Sequence, residues 1–252
     1  MSHPLPLTGE RTLPGVPGEE YWFARHEAAY AWVAAELHGH LRDAVVVEAG
    51  SGEGYGAQML RDAGARTVVA LEYDDAAASH SGSAYPDVST ARANLAALPL
   101  ADASADVVVT LQVVEHLWDL RGFLRDCARV LRPGGTIVVT TPNRPVFSPG
   151  LGRGEKPTNP FHVEELDAEQ LEDLLGSAGF VDVVVHGLHH GPRIAQWEAD
   201  HGTGIVAAQV AAVLGEGSID GLPEFVATVG QSDFVVSGHE GSQDLVAVAV
   251  RP

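Results

Sequence analysis

The sequence predicts an α/β fold: a doubly wound, mostly parallel sheet with helices on both faces. Three observations predict it. From Ala44 onward, short apolar runs alternate with helical patterns, as parallel crossover units require. The first of these runs, Ala44–Glu48, is apolar without alternation up to its last residue, as a strand covered on both faces should be. It then enters a glycine loop, Glu48-Ala-Gly50-Ser-Gly52-Glu-Gly54-Tyr-Gly56. Such sheets hold their ligands at that place, the carboxyl ends of the strands.

The elements follow in order. Residues 1–20 are rich in Pro, Gly and Glu and read as an irregular arm. Glu20 to Leu37 is helix-like, with Tyr21, Trp22 and Phe23 at its start and an Ala-rich body. After the first strand and its loop, a helix is expected over Tyr55–Ala63, a strand over Thr67–Glu72, a weaker helix over Ala76–Tyr85 and a short strand over Val88–Ala93. Asp106–Leu111 is the fourth strand, and Leu120–Leu131 an amphipathic helix. Arg132-Pro133-Gly134-Gly135 stops that helix, since proline cannot continue it and glycine tolerates positive φ. Thr136–Thr141 is the fifth strand, 142–161 a Pro/Gly-rich loop, Asp167–Ala178 a helix and Phe180–His186 a strand. Residues 187–243 break the rhythm and read as an insertion or cap, before a seventh strand at Leu245–Val250. The chain thus divides into 1–40, 41–186, 187–243 and 244–252.

Composition narrows the function. At 252 residues, the chain is long enough for one large domain with a substantial core. The net charge of −19 repels a phosphate backbone, so nucleic acid is not an expected partner. No run of about 18 apolar residues exists to span a membrane. The first residues lack the basic and apolar regions of a secretory signal. Cys127 stands alone, which excludes an internal disulfide. A cytoplasmic protein is expected, and a homodimer stays open.

Four features carry chemistry. The glycine loop lets the backbone turn tightly beside a ligand. A dinucleotide loop would need glycine at position 55, where Tyr55 stands, so the pyrophosphate of a nicotinamide cofactor is not expected. Glu72 ends the second strand, where a carboxylate can accept both ribose hydroxyls of a nucleoside. Asn94 and Leu95 follow the third strand and can read an adenine edge. Gln112 to Asp119 follow the fourth strand and place His116 where a transferred group should lie. Each feature alone could be an ordinary turn or a solvated strand end. In order, each at a strand's carboxyl end, they describe a nucleoside site.

This order of motifs resembles the class I S-adenosylmethionine-dependent methyltransferases over about residues 44–186. The motifs are Glu48-x-Gly50-x-Gly52-x-Gly54, Leu71-Glu72-Tyr73, Asn94-Leu95-x-x-Leu98-Pro99, Val114-Glu115-His116-Leu117, Leu131-Arg132-Pro133-Gly134-Gly135 and Thr141-Pro142-Asn143. The resemblance implies a Rossmann-like sheet of seven strands with the final strand antiparallel. It also implies S-adenosyl-L-methionine as cofactor. Glu48, Gly50, Gly52 and Gly54 would flank its methionine part, Glu72 would hold its ribose, Asn94 and Leu95 its adenine, and Gln112 the methionine or ribose side; Tyr73 is also expected at the cofactor. The family often has aspartate where Asn94 stands; an amide still offers an acceptor.

The flanks resemble a narrower group, the actinobacterial sugar O-methyltransferases, and most of all the methylmannose-polysaccharide 1-O-methyltransferases. The matching segments are Leu7-Thr-Gly-Glu10-Arg11-Thr-Leu-Pro14, Glu20-x-Tyr21-Trp22-Phe23-x-Arg25-His26, Asn159-Pro-Phe-His162 and His190-Gly-Pro-Arg193. The acceptor implied is a short, partly methylated mannoside. Alternative acceptors are a quinol, phenol or polyketide, and a cofactor-binding module without catalysis is the rival from another class.

A sugar hydroxyl is a weak nucleophile, so a general base or a metal is expected to assist. His116 is the first candidate base and His162, in the loop beyond the fifth strand, the second. His116, Asp119 and His162 could also hold a divalent cation such as Mg2+. Tyr21 and His26 are expected at the cofactor under a lid, with Arg25 and His26 neutralising its carboxylate. Asn143, His190 and Arg193 are expected to contact the acceptor. Glu115 is expected to point away from His116 and to cap the following helix.

Overall fold

A computed structural model describes residues 5–6 and 11–252; of the arm motif, Leu7–Glu10 lies outside the described residues. The chain runs through α1 (Glu20–Glu36), the single turn α2 (His38–Leu41), β1 (Val45–Ala49), α3 (Tyr55–Asp62), β2 (Thr67–Glu72), α4 (Asp75–Ala84), β3 (Ser89–Arg92) and β4 (Ala105–Leu111). After a 3₁₀ turn at Val114–His116 come α5 (Leu120–Val130), β5 (Leu131–Pro142), the single turn α6 (Arg144–Phe147), α7 (Ala168–Ser177) and β6 (Val181–His190). Helices α8 (Pro192–His201), α9 (Ile205–Leu214) and α10 (Leu222–Val226) then lead to β7 (Phe234–Gly238) and β8 (Asp244–Val250).

Among the described residues the strands form one sheet in the order β3-β2-β1-β4-β5-β8-β6-β7. β1 to β5 are parallel, and β8 runs antiparallel between β5 and β6. The sheet has eight strands, one more than expected. The extra one, β7, pairs with the far half of β6, which continues past His186 to His190. No helix among the described residues is long and apolar enough to cross a membrane.

The pleat explains the layers. Successive strand residues face opposite sides, so Val47 and Ala49 pack with Phe123, Leu124 and Leu171 of α5 and α7. Val46 joins Val33, Leu60 and Val68 beneath α1 and α3. A third cluster binds α1 to residues beyond 187: Tyr21, Ala24 and Ala28 pack with Ile194, Trp197, Ile205 and Leu222. The Arg132–Gly135 stop is real for α5, which ends at Val130, but the chain stays in the sheet. Leu131 pairs with Ala105 and Thr136 with Val107, so the intervening residues bulge out of the ladder.

Two of the loop's positive-φ glycines are sterically required. Gly50 has φ 86°, and a Cβ there would overlap the Val113 side chain. Gly54, with φ 106° at the start of α3, would overlap Ser81. The loop is therefore clamped between the segments after β4 and along α4, and its backbone lies open on the remaining side.

Candidate active site

Two adjoining cavities lie over the carboxyl ends of β1, β2, β4 and β5. The first, about 340 Å3, is walled by Gly50, Ser51 and Gly52, by Glu72 and Tyr73, by Asn94 and Leu95, and by Leu111 to Val113. The second, about 280 Å3, is walled by Glu19, Trp22 and Arg25 of the α1 region, Glu115, Phe147, Asn159 and His162. Arg11, Thr12, His26, Gln112 and His116 line both.

The first cavity fits a nucleoside. The Glu72 carboxylate accepts the Gly52 and Asp74 backbone N–H groups, each at 2.8 Å. Each oxygen keeps a second lone pair for a ribose hydroxyl. Asn94 Oδ1 accepts the Ala96 N–H at 2.9 Å, which fixes the amide orientation. Leu95, Leu111, Val113 and Leu117 supply apolar walls for a base. Gln112 holds an unusual φ of 55°, a strained geometry for a non-glycine residue. Its amide donates to Thr140 Oγ1 at 3.2 Å and to Asp244 Oδ1 at 3.1 Å. That bracing holds it on the wall between the cavities.

Glu48 does not line either cavity. It is buried beneath the loop, where Oε1 accepts the Tyr30 hydroxyl and Oε2 has no hydrogen-bond partner among the described residues. Burial raises its pKa to about 8; the Tyr30 hydrogen bond opposes this and the Glu72 charge adds to it. Tyr30 takes the place on the cavity wall. Tyr21, expected at the cofactor, is instead fully buried, with its hydroxyl 2.7 Å from His190 Nε2. Its neighbour Trp22 is the residue that reaches a cavity.

His26 lies where expected, on the shared wall, but not as a cation. Burial, helped by the Arg25 charge, lowers its pKa to about 3. The imidazole is therefore neutral at pH 7, and Nδ1 lies 3.3 Å from Thr12 Oγ1. Arg25 is buried against Asp244, with Nε donating to Oδ2 at 2.6 Å. Its charge is thus already balanced, which corrects the expectation that the two residues neutralise a carboxylate.

The second cavity brings the two candidate bases together. The N–H of Val163 donates to the Glu115 carbonyl at 2.7 Å, pinning the loop after β5 to the turn after β4. The His116 and His162 rings consequently meet edge to face, with centroids 5.1 Å apart. His116 Nδ1 lies 3.1 Å from the Phe161 carbonyl, an acceptor, so Nδ1 carries the proton of the neutral ring. His162 Nδ1 donates to Glu165 at 2.7 Å, and Nε2 accepts from the Asn159 amide at 3.0 Å.

Glu115 neither points away from His116 nor caps α5. The 3₁₀ turn brings its Oε1 to 3.8 Å from His116 Nε2, while Oε2 accepts the Thr141 hydroxyl at 3.1 Å. Burial raises its pKa, against the pull of His116, His162 and Thr141. Asp119 is the cap, accepting the Gly122 N–H at 2.8 Å. The ligand atoms that converge are those of Glu115, His116 and His162, all within 4.8 Å of one another; Asp119 is not among them.

The expected acceptor contacts lie elsewhere. The Asn143 amide donates to the Ser242 carbonyl at 3.0 Å and to its hydroxyl at 3.2 Å. His190 is held between Tyr21 and Glu198. Arg193 pairs with Asp233 at 2.6 Å and covers the Phe225 ring. All three tie β6, α8 and β8 to their surroundings, and none lines either cavity. Sequence reasoning missed Thr12, Glu19, Tyr30, Glu53, Phe147 and Asn159 as wall residues. Tyr55, used above only to exclude a dinucleotide, also lines the first cavity, 2.8 Å from the Thr12 hydroxyl.

Comparison with known proteins identifies the family of the chain. Residues 47–139 match a family model described as a methyltransferase domain. A probable S-adenosylmethionine-dependent methyltransferase of Mycobacterium tuberculosis is 50% identical, covering 98% of this chain and 90% of that one. One from Mycolicibacterium smegmatis is 48% identical, covering 98% and 96%. The human mitochondrial ubiquinone biosynthesis O-methyltransferase is 32% identical over 40% of this chain and 29% of its own length. In fold, the chain is similar to a Thermotoga maritima SAM-dependent methyltransferase, with TM-score 0.63 and 18% identity, covering 92% and 94% of the two chains.

Proposed function

Because the chain belongs to the class I S-adenosylmethionine-dependent methyltransferases, we propose that it methylates a hydroxyl of a sugar, with His116 as general base. One observation carries the reading: the second cavity meets the first at His116 and Gln112 and is walled by hydrogen-bonding groups and two rings. Glu19, Arg25, Asn159 and His162 suit a polyhydroxylated acceptor, and Trp22 and Phe147 suit the apolar face of a pyranose. The flanking motifs make the 1-OH of a short, partly methylated mannoside the specific candidate; Arg11, Asn159 and His162 from those motifs line this cavity.

The chemistry is an in-line displacement. Held in the first cavity by Glu72, Asn94 and Gln112, S-adenosylmethionine would supply a methyl on a cationic sulfonium, so that a new C–O bond would form as the methyl–sulfur bond broke, leaving a neutral thioether. The hydroxyl proton passes to His116 Nε2, because the Phe161 carbonyl holds the other nitrogen as N–H. The Glu115 carboxylate, 3.8 Å away, steadies the imidazolium that forms. Gln112, braced by Thr140 and Asp244, keeps the two reactants in line.

A divalent cation such as Mg2+ is a second reading, favoured by the convergence of Glu115, His116 and His162. The outer nitrogens of both imidazoles donate to oxygen acceptors, as metal-binding histidines do. Binding would require the Asn159 amide to release His162 Nε2.

The test is incubation with methyl-labelled cofactor and a panel of mannosides, with and without a chelator. Label on a sugar hydroxyl is expected. Label on a quinol or phenol and on no sugar would overturn the reading; loss of turnover with chelator, restored by Mg2+, would establish the metal.

A further inference from the structure

The outer face of α9 carries Val210, Val213 and Leu214, which are 48%, 87% and 63% exposed. Their spacing of three and four residues puts them on one stripe. Opposite the stripe stand Leu222, Pro223 and Val226 of α10, and the two helices enclose a groove of about 430 Å3. No lysine or arginine lines it, and its one carboxylate, Glu19, sits at one end. That end is shared. Glu19 and Trp22 line both the groove and the second cavity. The groove and the second cavity therefore adjoin at Glu19 and Trp22.

We propose that this groove holds the unbranched apolar chain of an amphipathic acceptor whose polar head occupies the second cavity. The proposal rests on the reading of the second cavity as the acceptor's place, and it adds the class of molecule: a sugar carrying an alkyl or acyl chain. A chain matches the site in shape and position. The groove is larger than either cavity and mostly apolar along α9 and α10, where Gln209 is the one polar side chain, and its one carboxylate, Glu19, is shared with the second cavity. Burying methylenes there removes apolar surface from water. A second copy of the protein would use the stripe as a flat contact and would have no use for its opening beside Trp22.

The experiment uses the full chain and two probes. The first is 11-(dansylamino)undecanoic acid, followed by fluorescence. Saturable 1:1 binding is expected, weakened about tenfold or more by Val213→Asp; the side chain replaced is largely exposed, so unchanged melting will confirm the fold. The second compares 6-O-methylmannose and 6-O-octylmannose as acceptors, both with the 1-OH free. The octyl sugar should show a KM lower by about tenfold at similar kcat, and Val213→Asp should erase the difference. Absence of probe binding, or equal KM values for the two sugars, overturns the proposal. So does a dimer in light scattering that Val213→Asp dissociates while the probe fails to bind. Probe binding that Val213→Asp abolishes, without methylation of either sugar, leaves the groove standing and removes the sugar reading instead.

Discussion

The two cavities share a wall and are built in opposite ways. Most of the first comes from one stretch of chain, 50–117, as successive strand ends of a parallel sheet arrive side by side, with Arg11, Thr12, His26 and Tyr30 added along one wall. The second draws Glu19, Trp22 and Arg25 from the α1 region, Glu115 and His116 from the turn after β4, and Phe147, Asn159 and His162 from the loop after β5. A parallel sheet forces strand ends together whatever the loops do, so the first cavity follows from topology. The second exists only because particular side chains dock helix and loops onto that sheet, among them the buried Arg25–Asp244 pair. Chemistry that all relatives share can sit in the first, and acceptor choice can vary in the second.

The sharpest way to separate the two is at their common wall. His116→Ala should lower kcat roughly 100- to 10,000-fold, the range for loss of a general base. Cofactor affinity by calorimetry should change little. A comparable loss in affinity would mean that His116 serves the first cavity and that the base lies elsewhere.

Glu48 tests the foundation under the first cavity. Its pKa is raised by burial to about 8, so the folded state holds a proton that the unfolded chain releases near 4.5. Stability from this group is present at low pH and is lost as pH rises between those values. In the cofactor-free protein the effect should amount to a few kcal/mol, at 1.36 kcal/mol per unit of pKa shift. Denaturant midpoints at pH 5 and pH 8 should differ accordingly, and Glu48→Gln should flatten the difference. A wild-type protein equally stable at both values would show that Glu48 is solvated or ionised in the fold.

Gly50→Ala is expected to act less globally. The positive φ and the overlap with Val113 cost on the order of 1–3 kcal/mol. Cofactor affinity should fall about 10- to 100-fold while the melting temperature moves by a few degrees. An unchanged affinity would show that the loop backbone does not approach the ligand closely.

The difference in construction also decided what could be read from residues alone. Glu72 closes β2, and Asn94, Leu95 and Gln112 follow the ends of β3 and β4; a strand's end is visible where its apolar run stops. Glu48 stands one residue before the end of β1, yet its side chain shares the pleat face of Val46 and points under α1, toward Tyr30. Position along a strand is legible in the pattern; the facing of its last residue depends on what packs over it. On α1, Glu19, Trp22 and His26 follow helical spacing and face the cavities. Tyr21, one residue earlier than Trp22, is turned by about 100° and lands in the third apolar cluster. The spacing contains that distinction, but the choice of face required β7 and α8, which sequence periodicity did not reveal. Phe147 and Asn159 lie in a stretch rich in proline and glycine, with no period to read. The eighth strand was hidden because Phe234–Gly238 pairs only with the far end of β6, inside the irregular stretch.

Asp119 is the smallest and most specific test of how the second cavity is built. In sequence it stands beside His116 and invites a role in a metal site; in the fold its carboxylate is committed to the Gly122 N–H. Loss of such a cap costs about 1 kcal/mol, so Asp119→Ala should lower the melting temperature slightly. kcat and any Mg2+ dependence should stay as in the unaltered protein. Glu115→Gln should do the reverse, removing the negative charge beside His116 and weakening metal response and turnover together. If Asp119→Ala abolished a metal effect that Glu115→Gln preserved, the turn after β4 would have to rearrange on loading. The second cavity would then be completed by its ligand, whereas the first is completed by the sheet.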